Sequence, residues 1–302
     1  MHGWIILDKP EGLGSTAALA RIKGMARAAS WGRVKAGHGG TLDPLASGVL
    51  PIALGEATKL AHRLLDARKA YRVTIAFGAA TDSDDAHGRV IATSPVRPMR
   101  AQLLAALPAF TGRLLQRPPA VSALKVDGRR AYALARAGAP VTLAERAVEL
   151  FHLELVDPAG GDGALETATL ELECSKGTYV RALARDLAAA LGTLGHVVRL
   201  RRTRAGPFSL GHAMTLDLLQ CLCDAGRLAD AVLPLAAGLV DIPAMAVTPD
   251  EAAALKQGRR LAGRFGLSGL HVAMLGVTPV ALVAVTATEV KVERGFNLDV
   301  AE

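Results

Sequence analysis

A glycine-rich segment near the amino terminus places the strongest constraint on how this chain folds. The run Gly37-His38-Gly39-Gly40-Thr41-Leu42-Asp43-Pro44 sets one carboxylate in a turn where three glycines permit conformations that side chains forbid. Pro44 disfavours the helical conformation at Asp43, and the Ser, Gly and Pro residues that follow up to Pro51 disfavour a helix further on. We therefore predict a loop that presents Asp43 from extended backbone. The alternative is a helix that Asp43 caps, with Pro44 as its first residue.

Composition points to a globular chain with a polyanionic partner. The length of 302 residues predicts about two domains, and a hydrophobic fraction of 51% excludes a disordered chain. Lys and Arg number 35 against 28 Asp and Glu, which gives a net charge of +7. Such an excess favours nucleic acid as a partner, although many basic proteins bind none.

Cysteine usage and the amino terminus both favour a cytoplasmic protein. Three cysteines cannot form a disulfide framework, and Cys221 and Cys223 lack the spacing of a zinc site. Asp8 and Lys9 interrupt the apolar start, so we expect no signal peptide.

The stretch 265–288 carries no formal charge and is long enough to cross a membrane. It contains Gly276 and Pro279 and is rich in Val and Thr, so two strands joined by a turn are the better prediction. Pro234 and Pro243 bracket a helix-poor connection. We place a domain boundary there, giving domains 1–244 and 245–302.

Hydrophobic periodicity predicts mixed helices and strands, an α+β class. The acidic run Asp82–Asp85 does not fit a calcium loop, because His87 stands where glycine is required, and we predict a solvated turn. Ser15 is the expected cap of the first helix. The predicted strands are 4–7, 71–77 and 167–174, and the predicted helices are 15–28, 100–107, 129–137, 180–191 and 249–256.

Six motifs in order resemble the TruB family of tRNA pseudouridine synthases. The glycine-rich segment around Asp43, continued through Gly48-Val49-Leu50-Pro51-Ile52-Ala53-Leu54-Gly55, resembles the family's active-site motif. Gly39 replaces a family Thr, which is expected to loosen the loop. The other matching segments are 3–10, Tyr71 with Gly78, Thr81 and Asp82, 119–132, 174–181 and 195–202. The resemblance implies a mixed-sheet catalytic domain over 1–244 and, more loosely, a small β-rich PUA-like RNA-binding domain over 245–302.

The resemblance also implies roles for three catalytic residues. Asp43 is the family's catalytic carboxylate, and Arg181 is the arginine whose bidentate hydrogen bonds keep that carboxylate charged. Tyr71 stacks on the target base and takes part in proton transfer. Without the resemblance, Arg181 is a solvated helix arginine and Tyr71 a core aromatic.

Five further residues are implied in RNA binding. His38 fills the space that a flipped base leaves, and Tyr179 and Leu200 contact the bound uracil. Lys9 and Arg202 are candidate phosphate contacts. Ordinary alternatives are core packing for Tyr179 and Leu200, and a structural or solvated role for His38. For Lys9 and Arg202 the alternative is an ordinary solvated face.

The predicted function is isomerisation of uridine 55 in the TΨC arm of tRNA, with base flipping. The resemblance implies no metal, no cofactor, no membrane and no obligate protein partner. Two alternatives stay open: a non-catalytic RNA-binding or RNA-folding protein on the same scaffold, and a pseudouridine synthase acting on another RNA.

Overall fold

The computed structural model describes residues 1–121, 125–126, 129–130, 143–156, 163–264 and 266–298. The α-helices of this part of the chain are α1 Ser15–Ala28, α2 Ala61–Asp66, α3 Arg100–Ala106, α4 Val180–Ala190, α5 Leu216–Asp224 and α6 Pro249–Lys256. Its strands are β1 Gly3–Lys9, β2 Ala36–His38, β3 Ser47–Leu54, β4 Lys69–Phe77, β5 Ala79–Thr81, β6 Val90–Thr93, β7 Gly112–Gln116, β8 Lys125–Val126, β9 Arg129–Arg130, β10 Arg146–Leu155, β11 Thr167–Cys174, β12 Gly195–Ala205, β13 Phe208–Ser209, β14 Ala244–Ala246, β15 Leu261–Ala262, β16 Gly269–Leu275, β17 Thr278–Val285 and β18 Glu289–Gly295.

A large mixed sheet forms the main body of the protein. Its strand order is β1-β3-β12-β4-β11-β10-β7, with β2 beside β3 and β13 beside β12. Most neighbours are antiparallel, but β3 and β12 run parallel, with Gly48 opposite Arg202. Helices cover part of this sheet, so the predicted α+β class is confirmed.

Alternation along the central strands builds the core as predicted. In β4, Val73, Ile75 and Phe77 are buried, and Tyr71 packs against the same cluster. β11 buries Leu170 and its alternate neighbours. Each fully buried Val, Leu, Ile or Phe contributes about 1.5–3 kcal/mol. These side chains, together with those of α1 and α4, therefore contribute much of the free energy that stabilises the fold around the site.

A second sheet lies toward the carboxyl terminus, with strand order β14-β16-β17-β18-β15 and α6 packed against it. The uncharged stretch forms β16 and β17, as predicted. No helix among the described residues is long and apolar enough to cross a membrane. Phe296 and Leu282 share a buried cluster with Trp4 of β1, so the two sheets pack together. The domain boundary near residue 245 stays a prediction, although β14 begins at Ala244.

Two local predictions were wrong, and a third falls largely outside the described residues. Helix α1 has the predicted bounds, but Gly14 is its N-cap and no side chain caps it. The turn at Asp82–Asp85 is not simply solvated, because Ser83 and Asp85 are buried. The helix expected over 129–137 begins with β9 at Arg129–Arg130, and its remainder, 131–137, lies outside the described residues.

Candidate active site

The loop of Asp43 connects β2 to β3, and no helix begins there, so the helix-cap alternative is wrong. The hydroxyl of Ser15 donates to the Leu42 carbonyl at 2.9 Å and accepts from the Leu42 amide at 2.8 Å. The amide of Gly12 donates to the Pro44 carbonyl at 2.8 Å. The residues on either side of Asp43 are therefore fixed to the segment that begins α1.

Arg181 meets Asp43 across the site. Its Nη2 lies 2.9 Å from Oδ2 of Asp43, and the arginine side chain is 5% exposed against 40% for the aspartate. The structure gives this one close contact in place of the expected bidentate pair, and Nη1 of Arg181 donates to the Ser83 carbonyl at 2.7 Å. The Nε–H of Arg181 is buried without a partner among the described residues. One guanidinium thus joins the Asp43 loop to the turn before β6.

That turn holds a carboxylate that sequence reasoning missed. Oδ2 of Asp85 lies 3.6 Å from Nη1 of Arg181, and the Asp85 side chain is 8% exposed. Its Oδ1 accepts hydrogen bonds from the Ser83 hydroxyl at 2.7 Å and the His87 amide at 3.0 Å. Asp84 pairs instead with Arg185, at 3.0 Å. The sequence signal was an acidic run beside the second family motif that fitted no calcium pattern.

A cavity of about 230 Å³ opens over this ion pair. Its volume is below the roughly 300–1,000 Å³ of pockets that enclose drug-sized ligands, so it suits a small planar group. The structure brings six of the eight predicted residues to its wall, whereas Lys9 and His38 are not part of it. The predicted residues that line the cavity are Asp43, Tyr71, Tyr179, Arg181, Leu200 and Arg202.

The cavity has an aromatic and apolar wall from three separate elements. Tyr71 comes from β4, and burial is the main cause that raises the pKa of its hydroxyl. Tyr179 immediately precedes α4, where its amide donates to Oε1 of Gln116 at 2.7 Å. Leu200 of β12 is buried. A flat ring between such side chains gains both stacking and burial.

His38 lies on β2, half-buried and outside the cavity wall. Burial is the first cause that lowers the pKa of its imidazole, and the nearby Arg202 is the second. The ring is therefore neutral at neutral pH. Its Nδ1 is buried without a hydrogen-bond partner among the described residues.

Gly39, where the family has Thr, lies against Leu64 of α2. A Cβ at this position would lie 2.6 Å from Cδ1 of Leu64, so the leucine occupies the space of a side chain. The Gly39 amide also donates to the Pro51 carbonyl at 2.8 Å. The loop is packed at the glycine, which does not favour the loosening that we expected.

The two predicted phosphate contacts need correction. Lys9 is fully buried, and its ammonium donates to the carbonyls of Pro10 at 2.9 Å and Leu13 at 2.6 Å. Burial lowers the pKa of Lys9 to about 8. Arg202 is 1% exposed and donates to backbone carbonyls of the Asp43 loop. Neither group is placed to reach a phosphate, because both are already bonded inside the protein.

Lys69 is a cavity residue that the sequence analysis did not select. It begins β4, lines the cavity and is 7% exposed. Its ammonium donates to the Leu65 carbonyl at 2.6 Å, and burial lowers its pKa to about 8. Its position two residues before Tyr71, where β4 begins, was the available signal.

No group of three or more His, Cys, Asp or Glu side chains in the described ranges is placed to hold a metal ion. The expectation of a reaction without metal or cofactor stays a prediction.

Two family models match adjoining parts of the chain, which together cover residues 27–240. Residues 27–180 match the TruB family pseudouridylate synthase amino-terminal domain. Residues 181–240 match the tRNA pseudouridylate synthase B carboxyl-terminal domain. The first model contains Asp43 and Tyr71, and the second begins at Arg181, so the site spans the junction between them.

Curated relatives cover almost all of the chain. A tRNA pseudouridine synthase B of Novosphingobium aromaticivorans is 56% identical, with 100% of both chains covered. One of Zymomonas mobilis is 51% identical over 98% of this chain and 96% of its own. Among solved structures, an H/ACA ribonucleoprotein bound to a substrate RNA containing 2′-deoxyuridine contains a similar chain. The TM-score is 0.72 at 25% identity, covering 97% of this chain and 84% of that one.

Proposed function

Because the chain belongs to the TruB family and is a tRNA pseudouridine synthase, we propose that it isomerises uridine 55 in the TΨC arm, with Asp43 as the catalytic carboxylate. One observation carries the assignment of the site. The carboxylate of Asp43 lies at a cavity wall, 2.9 Å from a buried arginine and still 40% exposed. The carboxylate is therefore held by Arg181 and still accessible to a substrate.

The reaction breaks the C1′–N1 bond of uridine, turns the uracil and forms a C1′–C5 bond. The proton on C5 then leaves, and N1 regains one, so the product is an isomer of the substrate. An ionised carboxylate suits this chemistry as a nucleophile or as a stabiliser of a cationic sugar. Arg181 holds one oxygen of Asp43 at 2.9 Å and so fixes the direction in which the other oxygen points.

The target base reaches Asp43 only by leaving its stack in the RNA, so the substrate nucleotide flips into the cavity. Tyr71 and Leu200 enclose the uracil from two strands, and Tyr179 covers it from the start of α4. The raised pKa of Tyr71 keeps its phenol protonated at neutral pH. It therefore stacks on the base, and accepts a proton only if it passes its own to a neighbour.

Neutral His38 fills the space that the flipped base leaves in the RNA. Its ring is half-buried and lies five residues before Asp43. A neutral imidazole stacks on bases without placing a second charge near the carboxylate.

The carboxyl-terminal sheet, beginning with β14, is the PUA-like module and extends RNA contact beyond the flipped base. The net charge of +7 favours binding of the phosphate backbone. The enzyme acts in the cytoplasm on tRNA, without an obligate protein partner.

The decisive experiment compares wild type with Asp43→Asn on a TΨC stem-loop and on whole tRNA. Asn keeps the shape and loses the charge, so pseudouridine at position 55 should fall below detection while RNA affinity stays within about tenfold. Asp224→Asn, on the exposed side of α5, is the control and should react at the wild-type rate.

Multiple turnover by the Asn variant would remove Asp43 from the catalytic role. In cells where this enzyme is the sole pseudouridine synthase, pseudouridine at a tRNA position other than 55 would contradict the substrate assignment.

A further inference from the structure

We propose that Arg202 is a positioning residue that closes the Asp43 loop at both ends and thereby sets the place of the catalytic carboxylate. The inference rests on the proposed role of Asp43 and adds a residue that holds the backbone of the Asp43 loop in place. Three kinds of observation support this role: contacts of the Arg202 side chain with three backbone carbonyls, the pairing of Arg202 with Gly48, and the nearly complete burial of Arg202.

The guanidinium of Arg202 contacts the loop before and after Asp43. Nη2 donates to the Gly40 carbonyl at 3.1 Å, and Nη1 approaches the Thr41 carbonyl at 3.4 Å. Nε donates to the Val49 carbonyl at 2.7 Å. One planar group therefore ties the entry of the loop to its exit, and Asp43 lies between the two attachment points.

The backbone of Arg202 approaches the loop as closely as its side chain does. Arg202 pairs in parallel with Gly48 at the end where β3 begins. Gly48 has a φ of 99°, and a Cβ there would lie 2.2 Å from the carbonyl oxygen of Arg202. This contact requires glycine at position 48, both for its conformation and for the missing side chain.

An arginine suits this place better than a lysine. Guanidinium offers five N–H donors in a rigid plane, so it can serve carbonyls that lie in different directions. An ammonium on a flexible stem would hold fewer of them in a fixed relation. Because Arg202 is 1% exposed, water cannot replace the lost contacts.

The same residue also lies beside the aromatic wall of the cavity. In the antiparallel pair of β12 with β4, Arg202 stands opposite Tyr71. Arg202 therefore links the loop of Asp43 to the strand that carries the stacking ring. A displacement of about 1 Å in such a group can reduce a rate by about 100-fold. We expect the loss of Arg202 to affect the chemical step more than RNA binding.

The test compares Arg202→Lys and Arg202→Met with wild type under single-turnover conditions at saturating tRNA. The rate constant should fall about tenfold in the Lys variant and about 100-fold in the Met variant, with the Kd for tRNA within about threefold. Arg72→Met is the matched control, since Arg72 is an exposed arginine on β4 whose ion pair with Glu171 lies at the surface.

Hydrogen exchange separates positioning from a general loss of stability. Amides of residues 40–49 should exchange faster in both Arg202 variants, while amides of β16 and β17 keep their wild-type rates. The Lys variant keeps the charge and the buried stem, so it decides the question if the Met variant does not fold.

Two results would overturn the proposal. Wild-type single-turnover rates in the folded variants would show that the loop holds its place without Arg202. A weaker Kd with an unchanged rate at saturation and a smaller salt dependence would make Arg202 a phosphate contact. Activity in Asp43→Asn would instead contradict the proposed catalytic role of Asp43. Hydrogen exchange at residues 40–49 would then still show whether Arg202 holds the loop in place.

Discussion

Two polar segments meet at the guanidinium of Arg181, and they serve it in different ways. The Asp43 loop brings a carboxylate whose side chain is 40% exposed, while the Asp82–Asp85 turn brings Asp85, which is 8% exposed. The exposed carboxylate keeps an oxygen available to a ligand. The buried one, with two hydrogen bonds from its own turn, anchors the arginine.

The difference shows how a single arginine can be both buried and functional. Burying a cation costs free energy unless partners offset the loss of water. On the inner side, the Ser83 carbonyl accepts a hydrogen bond from Nη1 and the Asp85 carboxylate lies 3.6 Å from it, so Nη2 can be directed at Asp43. Asp43 does not have to hold the arginine in place by itself.

The largest expected effect that tests this division is that of Asp85→Asn. The substitution keeps the shape of the side chain and removes the anion behind Arg181, so the arginine should no longer be fixed toward Asp43. We expect the single-turnover rate to fall about 10-fold to 100-fold, while the Kd for tRNA changes by less than about threefold.

Asp82→Asn is the matched control, because Asp82 belongs to the same turn but pairs with exposed Arg89. Its rate should stay close to that of wild type. An equal loss in both variants would mean that the turn matters as a whole and that Asp85 has no particular function.

The sequence predicted the Asp43 loop and missed the function of the turn for a physical reason. Glycines and Pro44 restrict the backbone locally, and the family motif marks the loop, so its place could be inferred from the chain itself. Burial of Asp85 depends on Arg181, which is 96 residues away and comes into contact only in the folded protein. Local patterns cannot distinguish a buried acidic turn from a solvated one.

The same limit explains the error at Lys9 and Arg202. Both were expected to bind phosphate, with a solvated face as the alternative, and either expectation places the charged group at the surface. Their burial follows from strand order: β1 and β12 flank β3, which places both residues beside the loop. Regular elements such as α1 and α6 were predictable to the residue, because their limits are set by local sequence.

A smaller effect is expected for the attachment of the Asp43 loop to α1. Ser15→Ala removes a hydroxyl that both donates to and accepts from the backbone of Leu42, and it leaves these buried groups unpaired. The free energy of unfolding should fall by about 2 kcal/mol, and the single-turnover rate by about threefold to tenfold. Thermal unfolding and single-turnover assays measure the two effects.

Thr16→Ala is the control for this change, since the next residue of α1 is exposed. It should alter neither quantity by a comparable amount. A wild-type rate in the Ser15 variant would show that Arg202 and the strand pairing hold the loop without help from α1.

The two segments should also differ in how their stability responds to pH. The carboxylates of the turn, Asp84 and Asp85, are paired with the guanidinium groups of Arg185 and Arg181. Lys9 lies beneath the Asp43 loop, and burial lowers its pKa from 10.5 to about 8. Between pH 8 and 10.5 the unfolded chain therefore binds more protons at Lys9 than the folded chain does. The free energy of unfolding should rise with pH through this window, by at most about 1.4 kcal/mol per pH unit from this group.

Lys9→Met should remove that part of the slope in urea unfolding at pH 8, 9 and 10. Exposed Lys35→Met should keep it, because that ammonium is in water in both states. Equal slopes in wild type and Lys9→Met would show that Lys9 keeps its ordinary affinity for protons beneath the loop, and the two segments would then not differ in this respect.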